Sequence, residues 1–431
     1  MFKQLMIKIS TMAEVLFLGL FIFLNTAPLK ANPFNASTLK QAEALRDIAL
    51  KDKTGYLITE SLTTEVGPRL AGSRGNELAI DWAQQKLKSL GFKNIHLEPV
   101  SYPTWIRHSE TVAIVSPFPQ KLLVTALGFS VGTGKKGLTG TIVQFDSLPD
   151  LESADADSVQ GKIVFISERM KRFRDGRGYG KTVRARSIGA SIAAEKGAIA
   201  LVIRSVGTDN NRTPHTGVMH YKQGIKKIPA AALSNPDADL LLHELERNKP
   251  VELFLKLDVE QEPQKTSYNV IGEIPGSSKA DEIVAIGGHL DSWDLGTGAI
   301  DDASGVGITT AAAYLIGQLP EAPARTIRVV LFANEETGLW GGKAYAKAHV
   351  SEISKQIIAG ESDFGAGPVY QLDANVKPEA WPAIVSMAKI LQPLGITLGE
   401  KKAEGGPDFS PFHAQGLAVF DLKQDGTHYF D

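Results

Sequence analysis

The sequence predicts an α/β fold, a mainly parallel mixed sheet flanked by helices and interrupted by an inserted β-rich region. Three observations carry this prediction. The apolar runs Ile283–Ile286, Ile327–Phe332 and Gln356–Ala359 each read as a buried strand. Helical patterns follow them, over Gly305–Leu319, Leu339–His349 and Pro378–Leu394, and such alternation implies parallel strands between helical layers. Between about Arg107 and Pro263 the character changes, and short β-like pieces dominate.

Taken in order, the chain opens with Lys3 and Lys8, an apolar run Val15–Leu24, and small and polar residues ending near Ala27 or Ala31. That is the layout of a secretory signal over residues 1–31. The apolar run is too short to span a membrane. Removal of the signal would leave no stable membrane span and a secreted or periplasmic protein; a short retained anchor is the alternative. Ser37–Leu50 reads as a helix capped by Ser37, and Thr54–Glu65 as a second. A Gly/Pro/Arg/Ser loop from Val66 leads to a third from Asn76, stopped by Gly91. Asn94–Val100 reads as a strand.

Strands are expected at Thr111–Val115, Leu122–Ala126, Gly140–Phe145, Lys162–Ile166, Ala198–Ile203 and Val251–Val259, with a helix over Ser187–Lys196. Gly207–Gly224 reads as a long polar loop holding His215 and His220, and Gln261–Ser267 as the linker back. The expected organisation is one domain from residues 32–106 and 264–431, and an inserted domain, 107–263.

Composition excludes several functions. The net charge of −2 over 431 residues gives no electrostatic footprint for nucleic acid. With no cysteine, there is no disulfide, thiolate ligand or cysteine nucleophile, so a metal must be held by His, Asp and Glu.

Those residue types gather at the predicted strand ends. The first strand is followed by His289 and Asp291, then by Asp301 and Asp302 in the next loop. The second leads to Glu335 and Glu336, the third to Glu361 and Asp363. Neighbouring parallel strands end at one edge, so these groups are expected to converge. Clustered carboxylates resist ionisation, and a divalent cation resolves the conflict. One histidine among several carboxylates suits zinc, and the surplus of acids suggests two ions sharing one ligand. A carboxylate outside the ligand set is needed as general base; the adjacent Glu335 and Glu336 offer one for each task. Asp291 is placed to hold the His289 imidazole.

The motifs GGHLDSW, GAIDDASG, FANEETG and ESDFG, with RLAGSRGNELA upstream and GGPDFSPF downstream, resemble in order those of the dinuclear-zinc aminopeptidase and glutamate carboxypeptidase family. Within it, TPHTG, KIPAAAL and QDGTHYFD resemble the plasma glutamate carboxypeptidase subgroup and its bacterial relatives. The inserted region, through GKIVFI and KGAIALVI, resembles a protease-associated domain. The resemblance implies two zinc ions per subunit. His289 would hold one and Asp301 would bridge both. Glu336 would hold the second, Asp363 the first, and Glu335 would act as the base. It also implies a cis peptide between Asp301 and Asp302, a short peptide substrate and a homodimer. Its remaining ligand is a histidine in a Tyr-His-His-Thr run expected beyond Asp431; His413 and His428 are the substitutes within the chain. His215, Trp293 and Asp408 are candidates for substrate contact, and the basic run Lys171–Arg186 is read as a solvated loop. The expected activity is zinc-dependent exopeptidase action on dipeptides. The alternatives are an aminopeptidase for longer peptides and a binding homologue without chemistry.

Overall fold

The computed structural model describes residues 33–431. The predicted signal lies outside them. Among the described residues no helix is long and apolar enough to cross a membrane.

Fourteen strands join in one mixed sheet. They are β1 (Lys93–Ser116), β2 (Gln120–Leu122), β3 (Val124–Ala126), β4 (Leu138–Phe145), β5 (Ile163–Ile166), β6 (Ala200–Arg204) and β7 (Ala230–Leu233). Then follow β8 (Glu252–Ile274), β9 (Lys279–His289), β10 (Arg325–Phe332), β11 (Gln356–Glu361), β12 (Val369–Asn375), β13 (Thr397–Leu398) and β14 (Val419–Gln424). The path runs β13-β12-β14-β11-β9-β10-β8-β4-β5-β6-β7-β3, with β1 paired to β8 and β2. Around β9 the sheet is parallel, to β10 on one side and β11 on the other. It becomes antiparallel at β8–β10 and β12–β14.

Alternate residues of the central strands face two helical layers, as the period-two pleat requires. Val329 and Leu331 pack with Ile58, Trp82 and Val306 from the helices Thr54–Ser61, Arg74–Ser89 and Ser304–Gly317, and with Leu62 in the turn just after the first of them. Val330 and Phe332 pack on the other face with Tyr345, Phe409 and Phe412. Ser73, whose side chain accepts from the Asn76 N–H, caps the helix Arg74–Ser89, and Gly91 at φ +86° ends that turn.

Several expectations need correction. Gln261–Ser267 is no linker: it lies within β8 and pairs with the 100–105 stretch of β1. Here the ribbon buries Tyr102, Thr104, Trp105 and Ser267 while Ser101, Gln261 and Thr266 stay exposed; the β8 side is polar and reads as a loop, while ladder hydrogen bonds hold the backbone. Bulges near Tyr102 and Arg107 bend it. The basic run is not a loop throughout, because the helix Arg177–Glu195 begins inside it and buries Gly178, Thr182 and Ala185. Leu122–Ala126 is two short strands rather than one. The first helix is capped by Asn35, not Ser37, through a 2.8 Å bond from the Thr38 N–H. Strands β7, β12 and β14 and the helix Asn235–Leu245 were not expected; β7 is three alanines and a leucine, all buried, with no alternation to read.

Candidate metal centre

Strand register explains why the site forms. His289, last in β9, stands opposite Phe332, last in β10. Glu361 of β11 stands opposite Gly287. The residues just beyond these ends therefore emerge along one edge of the sheet. After Phe332 the chain turns at Asn334, which adopts φ +55°, a conformation asparagine tolerates. The turn brings Glu335 and Glu336 over the strand ends. Gly288 and Gly305 allow the approach from the other side. A side chain at Gly288 would stand 2.5 Å from an Asp302 carboxylate oxygen, and one at Gly305 only 1.8 Å from the Ser362 carbonyl.

His289 is fully buried. Its Nε2 lies 2.8 Å from Asp301 Oδ1 and 3.4 Å from Asp363 Oδ1, and its Nδ1 lies 3.1 Å from the Asp291 carbonyl oxygen. The Asp291 carboxylate, 3.4 Å from the same Nδ1, also accepts hydrogen bonds from the backbone N–H of Glu335 (3.0 Å) and Glu336 (3.4 Å). One buried carboxylate thus holds both the imidazole and the glutamate turn. The Asp301–Asp302 peptide is cis. The two aspartates divide their tasks. Asp301, with 42% of its side chain exposed, opens to the cavity and accepts a bond from Tyr429 Oη at 2.8 Å. Asp302 turns inward and accepts from the N–H groups of His289 (3.1 Å) and Gly305 (2.9 Å).

Burial pushes the carboxyls of Glu335, Glu336 and Asp302 well above the usual range, and neighbouring acids push them further. Burial carries Asp363 up to about 6 and Asp408 up to about 8. For the imidazole, burial works against the charged form, but bonds to Asp291, Asp301 and Asp363 hold His289 well above its ordinary value. So many acids at one point are a donor set for a dication. Donor atoms of His289, Asp301 and Glu336 lie within 4.8 Å of one another, as do those of His289, Asp302 and Asp363. Asp302 already accepts from two backbone N–H groups, whereas no backbone donor is bonded to the side chains of Asp301 and Glu336.

The cluster forms the floor of a cavity of about 700 Å³. Asp301, Glu335, Glu336 and Asp363 line it, and His215 and Trp293 line its wall. His215 is oriented by buried Asp209, with Nε2 to Oδ2 at 2.6 Å. Trp293 also packs between the halves of the chain, its ring against Gly128. Asp408 is a correction to the substrate-contact set. It is fully buried behind the floor, accepts from the Gly342 N–H at 2.9 Å, and is absent from the cavity wall. His413 bonds the Leu417 carbonyl, and exposed His428 bonds Asp431, so neither reaches the cluster.

Two further residues escaped the sequence reading. Tyr429 is the partner of Asp301, although its motif was noticed. Arg69, in the loop before the helix Arg74–Ser89, is fully buried and donates to the carbonyls of Leu290 (2.6 Å), Thr297 (2.6 Å) and Gly298 (2.9 Å). Its place in RLAGSRGNELA was the available signal.

Comparison with known proteins gives this geometry a family. Residues 269–430 match peptidase family M28. Carboxypeptidase Q of Bos taurus is 35% identical over 369 residues, covering 86% of this chain and 76% of that protein. The crystal structure of a peptidase M28 precursor from Shewanella amazonensis SB2B is 55% identical, covers 91% of this chain and 89% of that one, and superposes with a TM-score of 0.89. A zinc aminopeptidase from Bacillus subtilis, 22% identical over 87% of this chain and 86% of its own, shares the fold with a TM-score of 0.63. Identity at the level of the first two, sustained over most of each chain, places the protein with them: it belongs to peptidase family M28.

Proposed function

We propose that this metallopeptidase is an exported zinc exopeptidase acting on short peptides, dipeptides above all. The observation that carries the reading is the convergence of His289, Asp301, Glu335, Glu336 and Asp363 on the floor of one cavity. The donor set fits zinc: one imidazole, several carboxylates, no sulfur. His289, Asp301, Glu336 and Asp363 would hold it, with Asp301 shared if two ions bind. Zinc supplies Lewis acidity there, polarising a carbonyl and acidifying water.

The chain's own groups do the rest. Asp291 fixes the His289 ring and, through its two backbone bonds, the Glu335–Glu336 turn. Glu335 lines the cavity without belonging to the ligand set, and burial raises its carboxyl above the ordinary carboxylate range, which strengthens it as a proton acceptor. It takes a proton from the attacking water. The water oxygen joins the carbonyl carbon, the C–N bond breaks, and Glu335 returns the proton to the leaving amine. Residues 107–263 act as an inserted cover whose loop at His215 limits substrate length. The kinship with carboxypeptidase Q supports a substrate with a free C-terminus.

The test is a panel of dipeptides and longer peptides offered to zinc-loaded protein, with products identified by mass. Cleavage of dipeptides, abolished by chelation and restored by zinc, is expected. Cleavage only of longer chains would replace this reading with an aminopeptidase. Zinc-bound protein without hydrolysis would replace it with a binding homologue.

A further inference from the structure

Between His289 and Asp301 the chain forms a loop over residues 290–298. The cover, residues 107–263, touches this loop at two neighbouring positions. Trp293 packs its ring against Gly128, where a side chain would stand 2.3 Å from Trp293 Cη2. Asp294 meets Arg107, at the start of the cover, in a two-pronged ion pair, Nε to Oδ2 at 2.9 Å and Nη2 to Oδ1 at 3.2 Å. The same guanidinium also grips the cover. Nη1 donates to Glu110 Oε1 at 2.6 Å, to the Ala126 carbonyl at 3.0 Å and to Thr125 Oγ1, and Nη2 donates to Thr216 Oγ1 at 3.2 Å. Thr216 directly follows His215 and donates to the Ala126 carbonyl at 2.9 Å. Only 7% of the Arg107 side chain is exposed, and its guanidinium carbon lies 5.1 Å from the ring centroid of buried Trp105. None of these bonds goes to His289, Asp301, Glu336 or Asp363. A planar fork can hold one carboxylate along one edge and keep donors for other segments, which an ammonium cannot do.

We infer that Arg107 is a positioning residue: paired with Asp294, it locks the His215 loop at a fixed height over the metal centre and so sets the length of peptide that the cavity admits. The inference rests on the reading of residues 107–263 as a cover and deepens it. Asp294 is the gentler place to cut the link, because Arg107 without it still has the Glu110 carboxylate and no buried charge is left unpaired.

The experiment compares hydrolysis of a dipeptide and a tetrapeptide by the zinc-loaded full chain, and follows amide hydrogen exchange in residues 213–219 without substrate. In Asp294→Ala, kcat/KM for the dipeptide should fall roughly ten- to hundredfold, the cost of displacing a positioning group by about 1 Å, while that for the tetrapeptide holds or rises. Exchange in residues 213–219 should quicken, with β9, β10 and β11 at parental rates. Arg107→Lys, which keeps the charge and loses the fork, should shift both readouts the same way. Thr216→Val cuts the cover end of the link, so adding it to Asp294→Ala should change little further. Equal falls on both peptides, faster exchange in the central strands as well, or additive losses in the double variant would reduce the pair to general stability and overturn the inference. An unchanged peptide ratio with unchanged exchange would overturn it too. A parent that cleaves both peptides alike would refute the length limit and spare the peptidase reading. A parent that hydrolyses neither, while Asp294→Ala still loosens residues 213–219 alone, would sink the peptidase reading and leave the lock in place.

Discussion

Replacing Arg69 by methionine keeps the length of the side chain and removes its donors. In the parent, the guanidinium ties the end of β9 to the 297–298 loop through three close bonds to carbonyls, with a fourth to the Gly67 carbonyl at 3.3 Å. That loop leads directly into Asp301. Each buried carbonyl left without a donor costs about 1–3 kcal/mol. The Leu290 bond is buried and those to Thr297 and Gly298 are partly so, so the three losses together come to at most about 3–9 kcal/mol before relaxation, against the roughly 5–15 kcal/mol that holds a domain folded. The positive charge also sits among Asp291, Asp301, Asp302 and Glu336, so its loss leaves their repulsion less balanced. Arg69→Lys recovers only part, because an ammonium is a point donor and cannot span three carbonyls as the planar fork does. Urea unfolding followed by circular dichroism measures the stability, and competition with a chromophoric chelator measures zinc affinity. Both should fall in the order Arg, Lys, Met. A methionine variant within about 0.5 kcal/mol of the parent, with unchanged zinc affinity, would refute the argument that Arg69 positions the metal-side loop.

Three other perturbations have definite expectations. Glu335→Gln should lower kcat by about 10²–10⁴ with zinc content unchanged by elemental analysis; turnover at the parental rate would remove Glu335 from the role of base. Asp291→Asn should weaken zinc by about 10–100-fold in chelator competition, because the imidazole and the glutamate turn lose one shared anchor. The pair His349 Nε2–Glu98 Oε1, 2.8 Å apart, should shape stability against pH. Burial opposes charge on both groups, yet their mutual bond raises His349 above 6.5 and lowers Glu98 below 4.5. The histidine's share is complete below 6.5 and is lost as pH rises through its raised value; the glutamate's is complete above 4.5 and is lost as pH falls. His349→Gln should therefore flatten the decline in urea midpoint on the alkaline side of 6.5. An unchanged slope there would show that the pair is not coupled to folding.

The strand–helix series after residue 264 was legible because its strands are short apolar runs buried on both faces, and its turns carry glycine, asparagine and acids. The same pattern placed His289, Asp301, Glu335, Glu336 and Asp363 at strand ends, and a parallel sheet brings strand ends together wherever its order is adjacent. Other features had no local signature. The β1–β8 ribbon joins stretches about 150 residues apart in sequence, and only ladder pairing across that distance makes the polar Gln261–Ser267 a strand. Asp408 carried the same acidic signal as its neighbours, but packing beneath Gly342 turned it away from the cavity. Arg69 and Arg107 looked like ordinary loop cations, because what defines them is the carbonyls and acids that other segments bring to them.

By itself, then, the sequence determined the element types of the strand–helix series around the site, the chemistry of the cluster and the family, since these depend on periodicity and residue identity. Tertiary structure alone decided which acids face the cavity, which cap backbone groups, and which loops Arg107 ties together. Those outcomes depend on distance and burial, and neither exists until the strands are in register.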